Sequence, residues 1–169
     1  MTTQIRPAAP DDVTTILRFI RELADLEKAP DAVETNEDML REALFGANPA
    51  AEALIAERRA EGAAAAQPIG FALFYSTFST WTGRRGLWLE DLYVAPEARG
   101  SGAGAALLQA LAAIAVDRGC ARFEWAVLDW NQPAIEFYRS VGARAQDDWI
   151  VNRLTGDALD ALAAHYERA

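Results

Sequence analysis

Six consecutive residues, Arg99-Gly100-Ser101-Gly102-Ala103-Gly104, set three glycines in five positions behind a permanently charged guanidinium. Between a strand and a helix, such a stretch is suited to holding phosphate. The first N–H groups of a helix have no internal partner, and the helix dipole adds partial positive charge there. Glycine lets a bulky anion approach the backbone, and arginine adds a planar donor fork. Taken alone, the loop reads equally well as a flexible strand-to-helix turn. Just upstream, Glu90-Asp91 interrupts the apolar run from Leu87 to Ala95. Acids in an apolar strand are costly unless paired or near water. Alternation along a strand puts Glu90 with Trp88, Leu92 and Val94, and Asp91 with Leu89 and Tyr93. Only one of the two can face a given cleft unless a bulge intervenes. They serve either a cationic ligand or a bond to backbone or arginine. Further on, Asn131 can cap a helix in which Pro133 is tolerated in the first turn, and Phe137-Tyr138 places one aromatic for the core and one for the surface.

The spacing predicts the elements that position these groups. A short strand is expected over 3–7, then a turn with Pro10, Asp11 and Asp12. Val13, Ile16, Leu17, Ile20, Leu23 and Ala24 keep helical spacing to about Leu26. Thr35, with Asp38 three residues on, is the expected cap of a second helix ending near Leu44. Strands follow over 53–57 and 69–76, joined by a loop at 60–68, and a second loop covers 79–86. The central strand spans 87–95. After the glycines, Leu107, Leu108, Leu111, Ile114 and Ala115 form one helical stripe. A strand over 122–128, a helix from Asn131 to Gly142, a last strand over 148–154 and a C-terminal helix complete the order β-α-α-β-β-β-α-β-α-β-α. Hairpins mixed with strand–helix–strand crossovers predict an α/β chain with a mixed sheet and helices on both faces. Residues 1–169 are expected to form one domain.

Other phosphate-binding motifs fit less well. Gly100-x-Gly102-x-x-Ala105 satisfies a loose dinucleotide fingerprint, with Glu124 about twenty residues past Gly104. Against it, residues 96–99 separate strand from glycine, the preceding sheet is antiparallel by pattern, and too little chain follows. No Gly-Lys-Ser/Thr is present, which excludes a P-loop. Net charge is −9, from 16 basic and 25 acidic residues, which argues against nonspecific nucleic-acid binding and suits a cationic partner. The longest apolar run, over 103–116, is too short to span a bilayer, and Arg6, Asp11 and Asp12 fit no secretory pattern. Cys120 is the single cysteine, so no internal disulfide forms, which suits a reducing cytoplasm. His165 is the one histidine, so neither a metal site nor a Ser-His-Asp arrangement is expected.

The glycine loop behind Glu-Asp-Leu-Tyr-Val, together with Asp129-Trp130-Asn131-Gln132-Pro133 and Phe137-Tyr138, resembles the GNAT superfamily of acetyl-CoA-dependent N-acetyltransferases. Within it the chain looks like the diamine (spermidine/spermine) and thialysine acetyltransferase branch. The resemblance implies a mixed, mostly antiparallel sheet in which two parallel strands splay apart to admit the pantetheine arm of acetyl-CoA. It implies cofactor contacts from Leu92, Tyr93, Val94, Arg99, Gly100, Ser101, Gly102, Ala103, Gly104, Asn131, Ala134 and Tyr138. It assigns Tyr138 as general acid to the departing thiolate and Glu90, directly or through water, as receiver of the substrate amine and its proton. A backbone N–H around Leu92–Val94 would polarise the acetyl carbonyl. Leu26, Glu27, Glu90, Asp91, Asp147, Asp148 and Trp149 would line the amine groove. A leucine stands at 26 where the polyamine enzymes carry tyrosine, and the segments at 117–120 and 129–132 look closer to the thialysine-type enzymes. The resemblance also implies a homodimer.

The implied function is direct transfer of acetyl to a small cationic amine, with both substrates bound at once. A protein or peptide N-acetyltransferase and a catalytically silent acyl-CoA-binding regulator are the alternatives. Acids near both ends of the expected groove favour the first, and the presence of Tyr138 and Glu90 weighs against the last.

Overall fold

A computed structural model describes residues 2–59, 62 and 65–166. Its elements fall into two compact units, one ending at Ala126 and the other beginning at Val127. The first holds strands β1 (Thr2–Pro7), β2 (Glu52–Arg59), β3 (Gln67–Ser79), β4 (Arg84–Val94) and β5 (Phe123–Trp125) and helices α1 (Val13–Leu26), α2 (Glu37–Phe45) and α3 (Ala103–Asp117). Its sheet has the order β1-β2-β3-β4-β5, antiparallel throughout except for the parallel β4–β5 pair. The mixed sheet expected from the hairpin and crossover pattern is therefore present. No helix among the described residues is long and apolar enough to cross a membrane.

Alternation along the strands divides the core. Ala53, Ile55, Phe71, Tyr93 and Ala95 meet Val13, Ile16, Leu17 and Phe19 of α1 and Leu40 and Leu44 of α2. Phe19 stacks on Phe71 with ring centroids 5.9 Å apart and meets Tyr93 at 5.4 Å. The alternate residues Leu54, Ala56, Ala72, Phe74, Leu87 and Leu89 are also buried, on the face where Leu107, Leu108, Leu111 and Ala115 of α3 are buried. The expected helical stripe of α3 thus lies on the sheet, although Ile114 remains only partly covered.

Several boundaries differ from expectation. The cap of α2 is Asn36, not Thr35: its Oδ1 accepts the Met39 N–H at 3.0 Å, from extended backbone at φ −132°. Both residue types cap helices, and the register of α2 on the core selects the later one. The loop expected over 79–86 shrinks to a tight connection because β4 starts at Arg84. In the loop expected over 60–68, Ala60, Glu61, Ala63 and Ala64 lie outside the described residues. The strand expected over 122–128 pairs only from Phe123 to Trp125.

In the second unit, α4 (Gln132–Ser140) and α5 (Gly156–Ala163) flank an irregular stretch. Asn131 caps α4 as expected, accepting the Ala134 N–H at 3.4 Å. Gly142, at φ 91°, ends it, and the Ala143 N–H returns to the Tyr138 carbonyl at 3.1 Å. The strand expected over 148–154 is not formed. Trp149, Ile150 and Val151 give the segment β propensity, but propensity makes no strand without a ladder partner, and here all three side chains are exposed.

One ion-pair network anchors β1 to the start of α1. Arg6 forks onto both oxygens of Asp12, at 2.6 and 2.9 Å, and its Nε donates to Glu57 at 2.9 Å. Asp12 also accepts the Ala9 N–H at 2.7 Å. The Arg6 hydrogen bonds, seconded by that backbone bond, outweigh burial and hold the Asp12 carboxyl below the usual carboxylate range. Its contribution is therefore complete above the ordinary carboxylate range and fades only as pH falls below it. Asp12→Asn is expected to cost about 2 kcal/mol near neutral pH, because Arg6 keeps a neutral partner in place of a charged one. Thermal melts of both proteins between about pH 2 and pH 6 should show that difference shrinking on the acid side.

Candidate active site

After β4 the chain makes a turn through Pro96–Ala98, with Ala98 buried, and enters the glycine loop. Gly100 and Gly102 take left-handed conformations, at φ 71° and 85°, and Ser101 Oγ closes the turn by donating to the Ala98 carbonyl at 2.6 Å. Gly102 leads directly into α3 and brings no side chain to cap it. The first hydrogen bond of this helix runs from the Ala106 N–H to the Gly102 carbonyl at 2.9 Å, so the amides before it point past the helix start. At Gly104 an added Cβ would meet nothing closer than Val94 Cγ2, at 3.8 Å, which is ordinary contact. The protein does not need glycine there for its own packing. Arg99 is held beside the loop by its Nε, which donates to the Val94 carbonyl at 3.2 Å. Left-handed glycines, an uncapped helix start and an adjacent guanidinium make a cradle that fits a diphosphate.

The β4–β5 pairing runs Leu87–Phe123, Trp88–Glu124 and Leu89–Trp125 and stops, while β4 continues to Val94. Along that extension the Ala95 N–H donates to Ile69 of β3, and the Tyr93 carbonyl lies against Gly70 of the same strand. By alternation Leu92 and Val94 carry their peptide groups to the other edge, where the parallel partner has ended. The side chain of Tyr93 is buried in the core and donates its hydroxyl to Glu22 of α1 at 2.7 Å. Burial, with the Glu22 hydrogen bond and charge added, pushes that phenol up to about 12, so it stays a donor and ties α1 to β4.

Where the β4–β5 ladder ends, the register against β3 also shifts. Leu73 faces Asp91 and Phe74 faces Leu89, so Glu90 is the extra residue of a β-bulge. Strict alternation is therefore broken. Leu89 is buried on the α3 side, whereas Asp91 follows Leu73 and Tyr93 onto the α1 side. The expectation that Leu89 and Asp91 share a face is overturned, as is the grouping of Glu90 with Leu92 and Val94. Glu90 instead turns to the paired residues Trp88 and Tyr75, with Oε2 accepting Trp88 Nε1–H at 2.9 Å and the Tyr75 hydroxyl at 3.4 Å. The bulge thus directs both adjacent carboxylates to one side.

Glu27 joins them from the end of α1, beside the exposed Leu26. There Lys28 takes a left-handed conformation at φ 61° and the Ala29 N–H returns to the Ala24 carbonyl, which turns the chain out of the helix. Asp91 registers the cluster. Burial first, then the charges of Glu90 and Glu27, push its carboxyl up to about 6. In the second unit, Asn131 and Ala134 form the start of α4, and Tyr138 lies on the same helix with its ring 5.4 Å from Phe137. Asp147, Asp148 and Trp149 are exposed in the irregular stretch after α4. Sequence reasoning missed Trp88, Tyr75 and Glu22 as partners of the site. Trp88, two residues before Glu90, could have been flagged by alternation, but Tyr75 and Glu22 require the sheet register and helix packing.

A glycine loop at an uncapped helix start, a strand edge left by β5 and a carboxylate cluster are features that suit acyl transfer to an amine from a nucleotide thioester. Residues 17–143 match the acetyltransferase (GNAT) family model. The chain belongs to the GNAT acetyltransferase family. It is 42% identical to a thialysine N-epsilon-acetyltransferase of Sus scrofa over 167 residues, covering 94% of this chain and 96% of the relative. It is 39% identical to the human spermidine/spermine N(1)-acetyltransferase-like protein 1 over 165 residues, covering 95% of this chain but 24% of that longer protein. The solved integron cassette protein from the mobile metagenome of V. cholerae superposes with a TM-score of 0.77 at 25% identity, covering 96% of this chain and 98% of that one. The chain is accordingly an N-acetyltransferase of the diamine and thialysine branch of GNAT enzymes.

The Asp91 environment has a measurable cost. A carboxyl raised from 3.8 to about 6 on folding opposes folding above that window and is neutral to it below. Asp91→Asn, which keeps the shape and removes the charge, is expected to stabilise the protein by about 2 kcal/mol at neutral pH. Melts should show the two proteins converging as pH falls below about 4.

Proposed function

We propose that the chain transfers acetyl from acetyl-CoA directly to the primary amine of a small cationic substrate, a thialysine-like amino acid or a diamine or polyamine. The observation that carries this reading is the bulge at Glu90. It turns Glu90 and Asp91 to one side, within electrostatic reach of Glu27, immediately before the open edge at Leu92 and Val94. Three acids there suit an amine carrying more than one positive charge. Leu26 and the naming of the relatives favour a thialysine-like amine over a polyamine.

Bound acetyl-CoA supplies an acyl thioester. The amides of residues 100–105 and Arg99 would hold its diphosphate, and the Leu92 and Val94 edge would bind the pantetheine arm. One of those edge N–H groups, preorganised because β5 has ended, would donate to the acetyl oxygen as charge develops on it. Glu90 and Asp91 receive the ammonium. An alkylammonium has a pKa near 10, so it must lose a proton before it can attack, and Glu90 or a water it orders accepts that proton. Tyr138 is the proposed proton donor to the departing thiolate, whose pKa lies close enough to a phenol's for transfer along a short hydrogen bond. Asn131 and Ala134, at the start of α4, would contact the cofactor arm. Asp147, Asp148 and Trp149 would meet the far end of the amine, where an aromatic face can hold an ammonium. The family match runs from residue 17 to 143, which supports reading residues 1–169 as a single acetyltransferase domain. A homodimer in a reducing cytoplasm completes the proposal, supported by the branch resemblance and by the single cysteine.

A thiol-release assay with acetyl-CoA and a panel of thialysine, lysine, putrescine and spermidine tests the reading, with fastest turnover expected on thialysine. Acetylation of purified proteins but of no free amine would make the chain a protein acetyltransferase. Binding of acetyl-CoA without any turnover would make it a regulator. Gly104→Ala tests the cradle separately. A Cβ there has room in the fold and favours the helix, so stability should hold or rise, while the KM for acetyl-CoA rises about tenfold.

A further inference from the structure

Glu90 stands out from the other acids of the cluster because two side chains from two strands donate to it. Trp88 and Tyr75 are cross-strand partners in the β3–β4 ladder. Trp88 Nε1 and Tyr75 Oη both give their hydrogens to the same oxygen, Oε2, at 2.9 and 3.4 Å. The bulge sits at this contact. Trp88 and Glu90 lie on one side of the strand, and as the unpaired residue of the bulge Glu90 brings its carboxylate onto both donors.

These bonds do little for the fold. Glu90 is exposed, and water could replace either donor at small cost. What they do is fix a side chain whose rotamers would otherwise have to be frozen when the substrate arrives. Occupying Oε2 from the sheet side leaves Oε1 as the oxygen an incoming ammonium meets. The Tyr75 phenol is held above its ordinary value by burial first and then by the charge of Glu90, so it remains a donor through the neutral range.

We propose that Trp88 and Tyr75 are positioning residues that lock the Glu90 carboxylate in the orientation that receives the substrate ammonium. This rests on the acetyltransferase reading above and adds to it how the acid is aimed. The two donors would then act on amine binding through Glu90 alone and leave the diphosphate cradle untouched.

Trp88→Phe and Tyr75→Phe each remove one donor and keep an aromatic ring on the sheet. Steady-state kinetics should show the KM for the amine rising about tenfold for Trp88→Phe, and by less for Tyr75→Phe with its longer bond, while the KM for acetyl-CoA and the melting temperature hold. In a Glu90→Gln background, adding Trp88→Phe should produce no further loss, because the residue through which it acts is already changed. Calorimetric titration of the amine into the protein with CoA bound gives the same comparison where turnover is too slow. The inference is overturned if both single variants bind the amine as the wild type does. It is equally overturned if their effects persist in full with Glu90→Gln, or if both KM values and the melting temperature move together. Wild-type protein that turns over no free amine would instead overturn the acetyltransferase reading, before any variant is made.

Discussion

The structure turns on one irregularity in hydrogen-bond register. β3 and β4 cannot stay in step past Leu73 and Phe74, and Glu90 takes up the difference. A sheet side chain normally has no choice of face, since parity along the strand decides it. By spending one residue outside the ladder, the chain resets parity midway along its central strand. Leu87 and Leu89 before the break belong to the α3 core, and Tyr93 and Ala95 after it belong to the α1 core. The same break frees two adjacent acids to act together and coincides with the end of the parallel pairing to Trp125. Core packing, acid placement and an open backbone edge therefore share one cause.

Much of this was readable from residues alone because its causes are local. A left-handed turn needs glycine at 100 and 102 whatever surrounds it, and the helical stripe of α1 repeats often enough to be unambiguous. Asn131 before Gln132-Pro133 announces a helix start by the same local logic. What was not legible depends on partners distant in sequence. The bulge exists only in relation to β3, so no inspection of residues 87–95 could choose between strict alternation and a reset. Tyr75 and Glu22 lie far along the chain from Glu90 and Tyr93, and their hydrogen bonds follow from register and helix packing. Thr35 and Asn36 are both competent caps, and only the docking of Leu40 and Leu44 distinguishes them. The segment around Trp149 shows the converse error: Trp149, Ile150 and Val151 state a capacity to pair, and the described residues form no ladder there.

The electrostatic layout separates two tasks. Arg99 and the start of α3 bring positive potential to one end of β4, while Glu27, Glu90 and Asp91 bring negative potential to the stretch beside the bulge. Positive potential after β4 and a carboxylate cluster beside its bulge suit the proposed reaction, whose two substrates carry opposite charge. Neither depends on the overall charge of −9, which acts at longer range and is screened by salt.

Crowding three carboxylates leaves the empty protein less stable than it could be. On the proposed function, a cationic substrate that neutralises them would bind the native chain and not the unfolded one, and so would lower the share of molecules open to proteolysis. The abundance of such a protein would then rise and fall with the supply of the compound it consumes, with no separate sensor required.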